Sequence, residues 1–232
     1  MRLFVLVLAM QSCLCASEIH VRIRNIGLRD SLVRGAMRET AFLFEKAGVE
    51  IRWTVCPTHS AGCGVDQDPV ALTLGLLADD EYARSPATLG SALPGNHAAI
   101  FYPNVQHFLE REGKLADPAA VLGAVMAHEL GHLLLGAKHT GGLLQAAWSK
   151  QDLLHINQRT MTFSPVQAER IRRAAETYSA AAAVLKRWPE SREWIRNLVR
   201  KTSPIRPSLE NASYTRRGPR RQCPFGRSPA ND

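Results

Sequence analysis

The sequence has few cysteines, no internal repeat and no excess charge outside its last fifty or so residues. Three of its five cysteines lie beyond residue 15, namely Cys56, Cys63 and Cys223, so no second Cys pair completes a four-sulfur zinc site. Residues 184–232 hold twelve Lys or Arg and four acids, which accounts for the whole net charge of +8. The basicity therefore describes the tail and says little about partners of the remaining chain.

The N-terminal segment, MRLFVLVLAMQSCLCASE, lacks the length of a membrane span. An Arg beside the start precedes eight apolar residues, and small residues follow as far as Ser17. This layout is typical of a secretory signal peptide, whereas a buried first strand is the alternative. A lipoprotein anchored through Cys13 or Cys15 is less well supported, because neither follows the usual Leu-small-small sequence. We expect a signal peptide at residues 1–17 and a secreted or periplasmic protein.

Export would place the remaining cysteines in an oxidising compartment. Cys56 and Cys63 are close enough in sequence to close a short loop around Gly62, and we predict a disulfide between them. Use of the two as metal ligands is the weaker alternative. Cys223 is left as a free thiol or an intermolecular link.

Hydrophobic periodicity predicts one domain at residues 18–185, in the order β, α, β, β, β, α, loop, α. The first strand alternates Ile19, Val21 and Ile23 with polar residues, which indicates a half-buried strand. A long surface loop is expected at residues 79–96, and a short strand at Ala98 to Tyr102. A small mixed twisted sheet packed with the central helix and further helices, an α+β fold, is the economical arrangement.

The central helix should begin at Asp117-Pro118 and end at Gly136, where a left-handed conformation would turn the chain. A later helix, from Ser164-Pro165, should bury Val166 and Ala168 among others. We expect residues 186–232 to form a basic, largely disordered tail.

The segment HELGHLLLGAKH, residues 128–139, carries the chemistry. His128 and His132 lie four residues apart on one helix face and can reach a single ion, which we expect to be Zn²⁺. Glu129 would lie beside the open coordination position as the general base. Gly131 lets another segment approach the helix, and Gly136 returns the chain so that His139 becomes the third ligand.

The motif resembles that of the metzincin clan of zinc peptidases, HExxHxxGxxH followed by a methionine turn beneath the metal. Three residues, Leu133 to Leu135, separate His132 from the glycine where the clan has two, so the loop must follow a different path to bring His139 to the ion. The resemblance implies a zincin-like fold and peptide-bond hydrolysis.

The sequence also resembles a group of predicted secreted bacterial proteins, many of them acidobacterial. They share HELGHLLLG, a nearby His, a Gly-Ile-Met segment, a Trp and an Asp-Leu pair, which correspond here to His139, Gly142-Leu143-Leu144, Trp148 and Asp152-Leu153. The resemblance implies that Leu144 replaces the methionine as an apolar floor under the metal. Met161 is a less suitable substitute.

Other residues could supply the third ligand if His139 does not. These are Asp152 or His155 from the following segment, and Glu169 from a later helix, each ranked below His139.

The leading hypothesis is a secreted zinc endopeptidase that binds a peptide or protein substrate along a strand edge such as Ala98 to Tyr102. We expect it to be a monomer. A zinc-binding secreted or envelope protein without turnover is the alternative. The run at residues 216–221 is typical of solvated charge or of contact with an anionic surface, and no specific nucleic-acid partner is expected.

Overall fold

The computed structural model describes residues 17–57, 63, 70–79, 85 and 87–187. The helices and strands within this part of the chain are β1 (Ser17–Ile26), α1 (Asp30–Lys46), β2 (Val49–Cys56), β3 (Leu72–Leu77), β4 (Gly90–Leu93), β5 (His97–Phe101), α2 (Tyr102–Arg111), α3 (Pro118–Leu135), α4 (Lys150–Asn157) and α5 (Pro165–Arg187). Cys223 and nearly all of the predicted signal peptide and basic tail lie outside the described residues. The exceptions are Ser17, where β1 begins, and residues 186–187, where α5 ends.

The strands form one sheet in the order β2-β1-β3-β5-β4, in which β4 alone among the described strands is antiparallel. The predicted mixed sheet packed with helices is therefore confirmed. The half-buried pattern predicted for β1 is confirmed at Ile19, Val21 and Ile23, which are buried, and at Glu18 and Arg24, which are exposed. Arg22 is the exception, because it is only 3% exposed.

Two predictions about residues 79–102 are wrong. Residues 79–96 are not one surface loop, since Gly90–Leu93 forms β4 and pairs with β5. The predicted substrate-binding edge at Ala98 to Tyr102 corresponds to β5, which lies between β3 and β4. The edge strand on this side of the described sheet is therefore β4, and α2 begins at Tyr102.

Helix α3 packs closely against α1, because Gly123 has no side chain at the crossing. A Cβ on Gly123 would lie 2.7 Å from the Ala36 carbonyl oxygen, and the Thr40 hydroxyl donates to the Gly123 carbonyl at 3.0 Å. By length and composition α3 could span a membrane, but 78% of it is buried within the fold. This burial fixes the helix that carries the HExxH motif.

The predicted ends of α3 are correct, but the conformation of its last residue differs from the prediction. Asp117 accepts a hydrogen bond from the Ala119 N–H at 2.9 Å and Pro118 opens the helix. Gly136 has φ +99° and ψ 166°, so its φ is positive but its ψ is extended rather than left-handed helical. Such a conformation is accessible mainly to glycine.

Helix α4 was not predicted, although a reciprocal capping box defines its start. The Ser149 hydroxyl accepts from the Asp152 N–H, and the Asp152 carboxylate accepts from the Ser149 N–H. The prediction that Val166 of α5 is buried is wrong, because Val166 is 71% exposed. It lies two residues before Ala168, about 200° round the helix from that buried residue.

The predicted disulfide between Cys56 and Cys63 is present, with a Cα separation of 5.5 Å. It ties the end of β2 to the segment that leads toward β3.

Candidate metal centre

Three histidines from two segments come together at the end of α3. His128 and His132 lie on successive turns of the helix, and His139 lies on the segment that leaves it, residues 136–149, which we call the exit loop. One ring nitrogen from each histidine lies within 4.8 Å of the others. The extra leucine before Gly136 thus does not prevent His139 from approaching the pair.

Backbone carbonyls fix the orientation of both helical rings. The His128 Nδ1–H donates to the Leu143 carbonyl at 2.7 Å, and the His132 Nδ1–H donates to the Gly136 carbonyl at 2.9 Å. A carbonyl can only accept, so in each neutral ring the lone pair is on Nε2. Metal-binding histidines usually make such a hydrogen bond through their other nitrogen.

The two Nε2 atoms face each other at 2.9 Å. Two lone pairs at this distance repel unless a cation lies between or beside them. In a tetrahedral zinc site with Zn–N bonds of 2.0–2.1 Å, ligand nitrogens lie about 3.3 Å apart. The observed spacing, together with the 4.8 Å limit that includes His139, fits a three-imidazole metal site after small side-chain adjustment.

Burial keeps the helical pair neutral. It lowers the pKa of His128 to about 4, with the Leu143 hydrogen bond opposing and the nearby His132 and His139 adding to the decrease. Burial also lowers the pKa of His132. Neutral imidazole is the form that binds a metal.

Glu129 lies between the helix and the edge strand β4 and is only 5% exposed. Its carboxylate accepts a hydrogen bond from the Ala92 N–H, which partly offsets the effect of burial, and burial raises its pKa to about 8. A Cβ on Gly90 would lie 2.8 Å from Glu129 Oε1. The absence of a side chain at Gly90 therefore leaves the space that the carboxylate fills.

A cleft of about 350 Å³ opens beside these groups. Its walls come from the β4 side, α2, α3 and the exit loop, and include Leu89, Gly90, Phe108, Arg111, Val125, His128, Glu129, His139 and Trp148. The Trp148 ring meets His128 edge to face, with centroids 5.8 Å apart, and its Nε1 is buried without a hydrogen-bond partner among the described residues. Glu129 and two of the three histidines thus face one space.

Leu144 is 1% exposed and packs against α3 at Gly131, between the turns that carry His128 and His132. A Cβ on Gly131 would lie 2.8 Å from Leu144 Cδ2 and 3.1 Å from Phe163 Cε1. Gly131 therefore allows the close approach expected from the sequence. Leu144 supplies apolar packing against α3 at this position.

The lower-ranked ligand candidates have other partners. Asp152 caps α4, the His155 Nδ1 pairs with the Thr160 hydroxyl at 3.1 Å, and Glu169 forms ion pairs with two arginines of α5. Met161 is buried and lines a small cavity that includes Phe42. The metal-capable group among the described residues contains only the three histidines.

Sequence reasoning missed the groups that support the site. Gly90 and Ala92 belong to a strand with no alternating pattern, so nothing in the sequence indicated them. The acceptors for the histidines are backbone carbonyls, which carry no side-chain signal. Gln167 had one available signal, the Ser-x-x-Gln spacing of a capping box at Ser164.

No protein-family model and no curated protein matches the sequence. Among solved structures, archaemetzincin from Methanopyrus kandleri is similar, with 18% identity and a TM-score of 0.44 over 69% of this chain and 97% of that one. A likeness this distant does not transfer an activity.

Proposed function

We propose that this protein is a zinc metallopeptidase whose metal is held by His128, His132 and His139. The observation that carries the proposal is the pair of Nε2 atoms facing each other at 2.9 Å with both Nδ1 atoms committed to carbonyls. His139 is close enough to complete three ligands and leave one position open. This donor set is that of catalytic zinc sites.

Zinc, when bound, would act as a Lewis acid that polarises the scissile carbonyl and makes water more acidic. The chain supplies the proton transfer. The Glu129 carboxylate takes a proton from the attacking water and returns it to the amine that leaves as the C–N bond breaks. The products are a free carboxylate and a free amine.

An extended peptide is the substrate class that the cleft supports. The Phe101 N–H donates to the Leu89 carbonyl, so alternate residues Ser91 and Leu93 bond toward β5. Gly90 and Ala92 then direct their backbone groups to the other side, where Glu129 accepts from the Ala92 N–H. A substrate would pair with the groups of Gly90 and with the Ala92 carbonyl. A substrate strand paired with β4 would cross the cleft next to the histidines.

We further propose that the protein acts outside the cytoplasm. The Cys56–Cys63 disulfide is typical of an oxidising compartment, and the N-terminal sequence has the composition of a signal peptide.

Replacement of Glu129 by Gln tests the mechanism, because the amide keeps the shape but cannot take the proton. We expect Glu129→Gln to lose hydrolysis of a denatured protein substrate by about 10²–10⁴-fold. Zinc content, measured by elemental analysis, should stay at one ion per chain. Glu176→Gln, an exposed change on α5, is the matched control and should keep full activity.

Retention of activity in Glu129→Gln would contradict the mechanism. Stoichiometric zinc without cleavage in the wild type would instead favour a zinc-binding protein without turnover. Absence of zinc from the wild-type protein would contradict both the peptidase and the zinc-binding protein without turnover.

A further inference from the structure

The buried amide of Gln167, at the start of α5, is only 6% exposed. Its Oε1 accepts from the Ser164 N–H at 2.7 Å, and the backbone N–H of Gln167 donates to the Ser164 hydroxyl at 3.3 Å. This is the Ser-x-x-Gln capping box, which uses only the acceptor of the amide. The capping role therefore leaves the NH₂ group available for another contact.

The NH₂ group reaches the exit loop. It donates to the Thr140 hydroxyl at 2.6 Å and to the Gly141 carbonyl at 2.8 Å. Both acceptors directly follow His139, and they lie 26 and 27 residues from Gln167 in sequence. The Gln167 side chain therefore both caps α5 and connects it to the segment that carries His139, and we call this connection the tether.

His139 needs such a tether, because it is exposed and no core packing fixes its ring in the way that α3 fixes His132. The spacing from His132 to Gly136 is also one residue longer than in the motif it resembles, which changes the direction of the loop. The position of His139 is then set by the backbone of the residues beside it. Gln167 contacts two of them.

We propose that Gln167 is a positioning residue that preorganises His139 for metal binding. This inference rests on the proposed metal site. Loss of the two donors would leave the loop to become ordered only when the metal binds, and that entropic cost weakens binding. Outer partners of metal ligands typically change affinity by about 10–100-fold.

Gln167→Glu separates this role from helix capping. Glutamate preserves the capping box, whereas its carboxylate cannot donate to Thr140 or Gly141. Its negative charge would by itself attract zinc, so a weaker affinity must come from lost positioning. We expect zinc affinity, measured by competition with a chromophoric chelator, to fall by about 10–100-fold. The metal-free protein should keep its fold at a lower unfolding temperature, because a buried carboxylate replaces a hydrogen-bonded amide.

Two further variants keep the test decisive. Gln158→Glu adds the same charge at an exposed position and should not weaken binding. Thr140→Val removes one acceptor from the exposed end of the tether and should weaken zinc binding several-fold, even if Gln167→Glu folds poorly.

The His139→Ala background distinguishes failure of this inference from failure of the site. If Gln167 acts through His139, adding Gln167→Glu to His139→Ala should change zinc affinity by less than about threefold. An equal loss in both backgrounds, or no loss in wild type, would overturn the positioning role. If His139→Ala alone leaves affinity unchanged, the proposed metal site itself is wrong.

Discussion

Helix α3 and the exit loop hold the same proposed metal by different physical means. Fourteen of the eighteen residues of α3 are buried, including Glu129 and His132, so apolar packing fixes the two histidines that we propose as its ligands. The exit loop buries Leu143 and Leu144 but presents an exposed His139. The residues after His139 are held by hydrogen bonds that the Gln167 amide donates and by the bond from the Leu143 N–H to the Thr162 carbonyl. Packing should therefore stabilise the helical part of the site, and hydrogen bonds should stabilise the part next to His139.

The two regions also use glycine differently. Gly131 in α3 provides space, because a Cβ there would meet Leu144 and Phe163. Gly136 at the start of the exit loop provides backbone freedom, through its φ of +99°. A change at Gly131 should act on stability, whereas a change at Gly136 should act on the position of the third ligand.

The largest expected effects come from removing a ligand on each side of this comparison. His132→Ala should lower zinc affinity by on the order of 1,000-fold and also destabilise the metal-free protein, because it empties a buried position. His139→Ala should lower affinity by about 100-fold and leave metal-free stability unchanged. Zinc competition and thermal unfolding with a chelator would measure both. Equal destabilisation by the two changes would contradict the comparison.

Gly136→Ala should have the next largest effect. Alanine in this conformation costs about 1–3 kcal/mol, and relief of that strain would move the exit loop. We expect zinc affinity to fall by about 5–150-fold, the equivalent of that strain. Gly113→Ala is the matched control, since Gly113 also has positive φ, +84°, with no atom within 4 Å of an added Cβ. It should lower stability while zinc affinity is retained, and a similar zinc loss in both would contradict a local role for Gly136.

The contrast also explains what could be predicted from the sequence. The bounds of α3 and the pairing of His128 with His132 follow from local rules, namely Pro at the first turn, Gly after the last, and a four-residue ligand spacing. Strand β4 could not be predicted in the same way, because GSAL has no alternating pattern and its pairing with β5 is a long-range choice. The correct position of the substrate edge therefore required the three-dimensional arrangement.

The exit loop lies between these cases. The sequence contains the capping box of α4, formed by Ser149 and Asp152. The resemblance instead led us to interpret Asp152 as part of a shared motif. The tether from Gln167 depends on two segments 26 residues apart coming together. The Ser-x-x-Gln spacing indicates that Gln167 caps α5. It cannot indicate that the same side chain also contacts the exit loop.

Gly131→Ala should act where α3 packs against the buried Leu144 of the exit loop. The added methyl group would overpack the contact with Leu144, at a cost of about 1–3 kcal/mol in the free energy of unfolding. Denaturant unfolding of the metal-free protein would measure this loss. In a Leu144→Ala background the same methyl group should cost less, because the contact is vacated, so the two changes should be less than additive. A loss of zinc affinity without a loss of stability would show that Gly131 belongs functionally with the exit loop.

The smallest effect is expected from Ser149→Ala, which removes the cap where the exit loop joins α4. Loss of an N-cap side chain costs about 0.5–2 kcal/mol of stability. The hydrogen bonds that hold the loop next to His139 involve Thr140 and Gly141, which are closer in sequence to Gly136 than to Ser149. Zinc affinity should therefore stay within about threefold of wild type while the unfolding temperature falls. A larger zinc loss would mean that the exit loop responds as one unit, and that its far end helps to hold the third ligand.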